Sequence, residues 1–323
     1  MTLEPLVSIA MPCHNATRTL PMALASLRAQ TYEHWECLLV DDGSTDRPGE
    51  LIAHAGDSRI RYIRLDRNRG RGFARQVALD HARGEFLGML DADDWFYPSK
   101  LARQVDFLRS APDVALVSTG MAIVAGRDEL VGIRCCGPSD RSSVARGEMS
   151  RLAQPPLAHA PSLIRMPAAR RAGYDATINL GEDVDFLIRV LLEGRYAILP
   201  APAYAYSEHE SVTLEKIVGG LRSLRRVFRK HKERFPIESR ANVAKVMAKE
   251  GIYRSGFALG LGYRLIKRRS RTPTADERSG FGQALTEVAN VAERHFGPVD
   301  RAEDGALARS CLGQMAMATR GPT

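Results

Sequence analysis

The sequence predicts an α/β fold, a mostly parallel sheet flanked by helices, followed by a helical C-terminal region. Short apolar runs alternate with amphipathic stretches through the first half of the chain, the pattern of buried parallel strands joined by crossover helices. Polar turns rich in aspartate or arginine follow three successive apolar runs. Charge then divides the chain: residues up to Glu215 hold 24 Lys+Arg against 28 Asp+Glu, while the remainder hold 22 against 10, a net of +12. That break sets the expected organisation, one domain over residues 1–215 and a basic, mainly helical region over 216–323.

Leu6 to Met11 reads as a buried strand that Pro12 should stop. Leu20 to Ala29 puts Leu20, Leu24 and Leu27 on one helical face. Glu36 to Val40 is a second strand, ending at the turn Asp41-Asp42-Gly43-Ser44. Ile60 to Leu65 is a third, followed by a Gly- and Arg-rich turn from Asn68 to Gly72. A helix from Phe73 to Ala82 stops near Gly84, as suits a helix C-terminus. Phe86 to Leu90 is the fourth strand, and Asp91 opens the turn behind it. Pro98 starts a helix through Leu108, and Val114 to Thr119 makes a fifth strand. Between 120 and 180 the pattern loosens, with a break at Gln154-Pro155-Pro156. A helix then runs from Gly181 to Glu193, and two short strands follow at Tyr196–Leu199 and Tyr204–Ser207. Three helices fill the tail, near 217–235, 240–268 and 282–296.

With 323 residues, 44% hydrophobic and 26% charged, the chain can bury a substantial core and is not of disordered composition. Five cysteines (Cys13, Cys37, Cys135, Cys136, Cys311) lack CxxC spacing, which argues against a zinc site or a disulfide framework and for a reducing cytosol. No run approaches the ~20 apolar residues of a membrane-spanning helix. The first residues show no basic stretch followed by an apolar one. The expected location is cytoplasmic, or peripheral at the inner face of the membrane.

In an open parallel sheet the carboxyl ends of the strands form one edge, and ligands bind there. Asp41-Asp42, Asn68 to Arg71 and Asp91 to Asp94 should therefore face a common crevice. The turn Asp91-Ala92-Asp93-Asp94 crowds three carboxylates, which repel one another unless a cation neutralises them. Hard oxygen ligands suit Mg2+ or Mn2+, ions that also bind substrate phosphates. The plainer explanation is a solvated turn in which Asp94 caps the helix at Pro98.

Seven blocks in order resemble a known family. They are Val7 to Pro12 with Asn15; Gln30-Thr31-Tyr32; Val40 to Asp46; Asn68-Arg69-Gly70 with Ala74-Arg75; Gly84-Glu85-Phe86; Asp91 to Asp94 with Pro98 to Leu101; and Glu182 to Arg189. This succession resembles the family 2 glycosyltransferases of the GT-A fold, a Rossmann-like α/β architecture, over about residues 5–213. The resemblance implies an inverting, metal-dependent transfer of a sugar from a nucleoside diphosphate sugar, by default a UDP-sugar. The acceptor would be a hydroxyl on a saccharide, a lipid-linked molecule or another compound, in surface polysaccharide or glycoconjugate synthesis.

By the same resemblance Asp42, with Asp41 beside it, meets the nucleotide base, and Pro12, His14 and Asn15 line the base and ribose pocket. Asn68, Arg71 and Arg75 lie toward the nucleotide and its diphosphate. Asp91, with Ala92, reaches the ribose or donor sugar, and Asp93 holds Mn2+ or Mg2+. Asp183 matches the catalytic base, which takes a proton from the acceptor hydroxyl. A metal that stabilises the departing diphosphate removes the need for an acid partner, unlike the two-carboxylate glycosidases. Glu182 is expected near the acceptor, with His159 and Arg165 on the same side, and Asp185 is expected to be structural. His209 would be a further metal or diphosphate contact. Plainer roles exist for several of these. Acids at a helix start favour its dipole, and Arg75 could lie on a solvated helix face.

In the tail, Ile217, Leu221, Leu224 and Phe228 share one helical face, while Arg222, Arg225, Arg226, Arg229, Lys230 and Lys232 fill the others. Lys267-Arg268-Arg269 with Arg271 adds a second basic cluster. The expectation is an apolar face packed on the first domain; contact with an anionic membrane surface is the alternative. Nucleic acid is not an expected partner, because no exposed aromatics interleave the basic residues. The sequence carries no signal for oligomeric state. A nucleotidyltransferase would share the sheet and the carboxylates, but should show a Gly-rich loop where this chain has Pro12-Cys13-His14-Asn15. A catalytically silent sugar-nucleotide-binding protein or scaffold would have no use for both Asp93 and Asp183. A dinucleotide-binding fold fits less well, since Gly70 and Gly72 follow the third strand and not the first.

Overall fold

The computed structural model describes residues 4–126, 128–134, 143–178, 180–208, 213–267 and 269–297. In chain order the elements are β1 (Val7–Cys13), α1 (Leu20–Arg28), β2 (Trp35–Asp41), α2 (Pro48–Ala55), β3 (Ile60–Arg64), α3 (Arg71–His81) and β4 (Phe86–Met89). There follow β5 (Trp95–Phe96), α4 (Lys100–Ser110), β6 (Val114–Ala125), β7 (Glu129–Arg134), β8 (Ala145–Gly147), β9 (Leu163–Arg165), α5 (Met166–Ala172) and α6 (Glu182–Leu191). The chain continues through β10 (Arg195–Ser207), α7 (Leu214–Lys230), α8 (Pro236–Ala258), α9 (Gly262–Lys267) and α10 (Ala275–Phe296).

One sheet runs β3-β2-β1-β4-β9-β6-β10-β5. Its first four strands are parallel. β9 then enters antiparallel to both β4 and β6, and β6 and β10 are parallel to each other. The sheet is therefore parallel where the apolar runs alternate cleanly with helices, and mixed where the pattern loosens. Both faces are covered, so successive strand residues feed opposite cores. Val7, Ile9 and Met11 pack with Leu20, Leu24, Leu27 and Val105 from α1 and α4. Ala10, Leu38 and Val40 pack with Ala74, Ala78 and Phe186 from α3 and α6.

Several expectations need correction. Pro12 does not stop β1, which pairs with β2 through Cys13↔Asp41. The Ala10 carbonyl accepts from Leu90 N–H, so Pro12, two residues on, points its nitrogen toward the same side, past the last β4 pair at Ala10↔Met89. No ladder bond is lost there. The two short strands after α6 are the ends of β10, and register shifts between Ile198 and Tyr204 absorb Pro200 and Pro202. β6 continues well past Thr119, α2 was not expected, α3 starts at Arg71, and the tail helices have other limits than the periodicity suggested.

The C-terminal helices pack against both flanks of the sheet domain. Leu221, Val227, Phe228, Val246 and Tyr253 of α7 and α8 enclose Ile188 of α6 and Leu152. The expected apolar face of α7 is packed, while Arg222, Arg226 and Arg229 stay exposed. α10 returns across the other flank, where Phe281, Ala284, Val288 and Ala292 close over Met22, Ala25, Trp95 and Tyr97. Thr274 and Glu277 form a reciprocal capping box that starts this helix. No helix among the described residues is long and apolar enough to cross a membrane.

Candidate active site

Two cavities open along the carboxyl edge of the parallel strands. The smaller, about 350 Å³, is lined by Pro12 at the end of β1, His14 and Asn15 after it, Asp42 after β2, Arg71 at the start of α3, and Asp91, Ala92 and Asp93 after β4. Three strand ends thus contribute to one crevice, as the topology requires. Asp42 is buried, and its two oxygens accept the backbone N–H groups of Arg69 (2.6 Å) and Gly70 (2.8 Å). It fixes the loop that leads into α3. Gly43 beside it has φ +72°, and a Cβ there would meet the Arg67 carbonyl carbon at 2.5 Å, so this close loop contact needs glycine. Asn15, with φ 51°, accepts the Thr45 N–H and donates its own N–H to Ser44, which holds the Pro12–Asn15 turn against the β2 turn.

Three expected donor residues do not line that cavity: Asp41 and Arg75 are buried behind it, and Asn68 is exposed on the loop before α3. Asp41 is fully buried and accepts from Ser44 N–H (2.8 Å), Tyr62 O–H (2.5 Å) and Arg64 (3.3 Å). Burial works to raise its carboxyl, but these donors hold it below the usual carboxylate range. Asn68 turns its side-chain oxygen to Gly70 N–H. Arg75 does not lie on a solvated face. It is buried beneath the site, donating to Asp91 Oδ1 at 2.7 Å and to Glu182 Oε1. Burial would raise the Asp91 carboxyl, yet the charge and hydrogen bond of Arg75, with Arg71 beyond, hold it below the ordinary range. A buried carboxylate with such a partner stays ionised and fixed in place.

Within the acidic turn the three carboxylates have separate environments. Asp94 is neither solvated nor a helix cap. It is buried, accepting Tyr204 O–H at 2.7 Å and Ser207 N–H at 2.8 Å, and so ties the turn to β10. Burial, with the charges of Asp93 and Asp91, pushes its carboxyl well above the usual range. Asp93 borders both cavities, together with Arg71 and Tyr206. The sequence reading missed Tyr204 and Tyr206, whose role depends on β10 lying beside the turn.

The larger cavity, about 740 Å³, is walled by Glu182, Asp183 and Val184 at the start of α6, Tyr206 to Glu208 of β10, and residues of α7 and α8. Asp183 accepts the Val184 N–H at 2.9 Å. Glu182 is buried against Arg75, and burial raises its carboxyl. Asp185 is fully buried and held by Arg189 (2.7 Å), Lys230 (2.9 Å) and His231 (2.9 Å). His159 does not line the cavity. Its Nε2 faces Tyr174 O–H at 2.7 Å inside the core, and burial, reinforced by Arg75, pushes its imidazole down to about 3. Arg165 likewise turns inward, donating to the carbonyls of Leu108, Ala111 and Val114. His209 lies outside the described residues.

The residues fit a divalent ion that takes most of its ligands from phosphate and water. Among the described residues no three His, Cys, Asp or Glu side chains gather into a complete cage. Asp93 and Asp91 nevertheless supply hard oxygens to the smaller cavity.

Comparisons with known proteins bear on the family and the fold. Residues 8–136 match the family model described as glycosyl transferase family 2. The succinoglycan biosynthesis protein ExoU of Rhizobium meliloti (strain 1021) is 33% identical over 225 residues, 62% of this chain and 61% of that protein. The chain thus spans about six-tenths of that relative's length. A crystal structure of S. aureus TarS 1-349 in complex with UDP-GlcNAc superposes with a TM-score of 0.59 at 18% identity, covering 98% of this chain and 93% of that one. It shares the fold. EpsE of Bacillus subtilis (strain 168), assigned as a glycosyltransferase, is 33% identical over 202 residues, 60% of this chain and 69% of that protein. With the motif order, the fold and the family match in agreement, the chain belongs to glycosyl transferase family 2.

Proposed function

We propose that the chain transfers a sugar, with inversion, from a UDP-sugar to an acceptor hydroxyl in polysaccharide or glycoconjugate synthesis. The observation that carries this reading is the junction at Asp93: one cavity holds Asp42 and Asp91, the other holds Asp183, and Asp93 borders both. In this reading the smaller cavity takes the nucleotide. Asp42 keeps acceptor capacity beyond its two loop amides and turns it to the base. Arg71 stands by the diphosphate, and Asp91, held ionised by Arg75, orients the ribose or donor sugar. Asp93 and Asp91 would hold Mn2+ or Mg2+, which when bound draws charge from the departing diphosphate. Asp183 takes the acceptor proton as the hydroxyl attacks the anomeric carbon from the larger cavity. Residues 1–215 carry these groups, and α7 and α8 wall the acceptor side. The UDP-GlcNAc bound to TarS, a protein of the same fold, supports a UDP-sugar as the first donor to try.

A panel of nucleotide sugars with mixed saccharide and lipid-linked acceptors, read by released nucleotide, tests the reaction. Release should be strongest with one UDP-sugar. Asp183→Asn should lower it by roughly 10²–10⁴-fold while leaving UDP affinity unchanged. Undiminished turnover in that variant would remove Asp183 as the base.

A further inference from the structure

Among the described residues, Arg71, Asp93 and Tyr206 line both cavities. During transfer the donor sugar must lie at that junction, bonded to the diphosphate on one side and open to the acceptor on the other. Arg71 and Asp93 are charged, which suits a diphosphate and its ion. Tyr206 is the neutral member, and the chemistry described above gives it no part.

The acidic turn fixes where Tyr206 stands. Tyr204 and Tyr206 are two residues apart on one face of β10, and both pack against the same core. Asp94 grips the strand on either side of Tyr206, accepting Tyr204 O–H at 2.7 Å and Ser207 N–H at 2.8 Å. The turn that carries Asp93 therefore also places Tyr206. The Arg134 guanidinium lies 6.0 Å from the centre of the Tyr206 ring and is itself held by Glu208 at 3.1 Å.

The two phenols differ in what they bond. The Tyr204 hydroxyl is enclosed, donating to Asp94 and accepting the Asp91 N–H at 3.3 Å. The Tyr206 hydroxyl makes no hydrogen bond among the described residues, and it is not sealed from solvent as the hydroxyl of Tyr97 is. Burial, with the charges of Asp94, Asp91 and Glu208, pushes this phenol up to about 12, so it stands at the junction as a donor. Its ring is held while its polar end is left for something outside the chain.

We propose that Tyr206 is a specificity-determining residue for the donor sugar, its hydroxyl donating a hydrogen bond to a hydroxyl oxygen of the sugar. A site built to bond a substrate hydroxyl discriminates against an analogue that lacks it, because the protein group is then left unpaired. The inference rests on the glycosyl-transfer reading, which puts the sugar between the two cavities.

The experiment compares wild type with Tyr206→Phe, which keeps the ring and removes the hydroxyl. Calorimetry with Mn2+ uses UDP, UDP-glucose, UDP-galactose and UDP-GlcNAc, then monodeoxy analogues of whichever donor wild type binds most tightly. Tyr206→Phe should bind UDP as wild type does, which also shows that it is folded, and should bind the preferred donor about tenfold more weakly. Wild type should lose about as much toward one monodeoxy analogue. Tyr206→Phe should not distinguish that analogue from its parent, since each change removes the same bond. Equal losses toward UDP and the UDP-sugar would reduce Tyr206 to a structural support and overturn the assignment. Undiminished donor binding in the variant, or discrimination among the analogues unchanged from wild type, would overturn it as well. Failure of wild type to bind UDP with Mn2+ would overturn the glycosyl-transfer reading instead.

Discussion

Asp42, Asp91 and Asp94 are each held by a neighbour before any substrate arrives: by loop amides, by Arg75, and by Tyr204 with Ser207. Such preorganisation lets charges act without rearrangement during reaction. Lys100 is a different kind of buried charge. It is fully enclosed, its Nζ donating to Gln104 at 2.7 Å and lying 4.1 Å above the Phe96 ring, and burial pushes its pKa down to about 7 from 10.5. Between those values the unfolded chain binds more protons than the folded one, so stability rises with pH. The stability of wild type relative to Lys100→Met, from urea unfolding, should therefore rise between about pH 7 and about pH 10, at roughly 1 kcal/mol per pH unit. A gap independent of pH would show that the lysine is not desolvated. The motif Pro98 to Leu101 was visible in the sequence, but not that its ammonium would be enclosed; burial of a long cation depends on what surrounds it. The same holds for His159, whose place in the core is set by Tyr174 and Phe186 stacking beside it.

Between elements, Arg75 is the central tie. It joins α3 to the turn after β4 and to the start of α6, and its two carboxylate partners are themselves largely buried. Arg75→Met should cost about 3–5 kcal/mol in denaturant unfolding, since it leaves those charges uncompensated. A loss below about 1 kcal/mol would mean that water or a counter-ion already satisfies them. Strands β1, β2 and β4 were legible because each is a mostly apolar run bounded by turn residues, β3 was legible from Ile60, Tyr62 and Ile63 ahead of the Gly- and Arg-rich turn, and the acidic turn was legible because it follows β4. α2 was not, since Arg47-Pro48-Gly49 reads as a turn, and α2 proves to have Pro48 at its first position. β5, β8 and β9 are two or three residues long and carry no periodicity of their own. β10 was split in the reading because its prolines hide one strand.

Across the whole molecule the C-terminal helices act as a clamp. α7 and α8 cover α6 and complete the larger cavity, and α10 covers α1 and the Trp95–Tyr97 stack on the far flank. A charge count could locate the compositional break near Glu215 but not the return of α10 to the N-terminal helix, which is a long-range contact. A chain ended at Glu215 should lose cooperative thermal unfolding and aggregate, because both apolar flanks would face water. A soluble fragment with a sharp transition near that of the full chain would make residues 1–215 an independent unit. The central claim is that the crevice formed by three strand ends binds a nucleoside diphosphate through a divalent ion at Asp93. Calorimetry of UDP with Mn2+, with chelator, and with Asp93→Asn tests it most directly. Affinity should fall at least about tenfold with chelator, and the variant should lose as much in the presence of Mn2+. UDP binding of equal strength with and without the metal would contradict it.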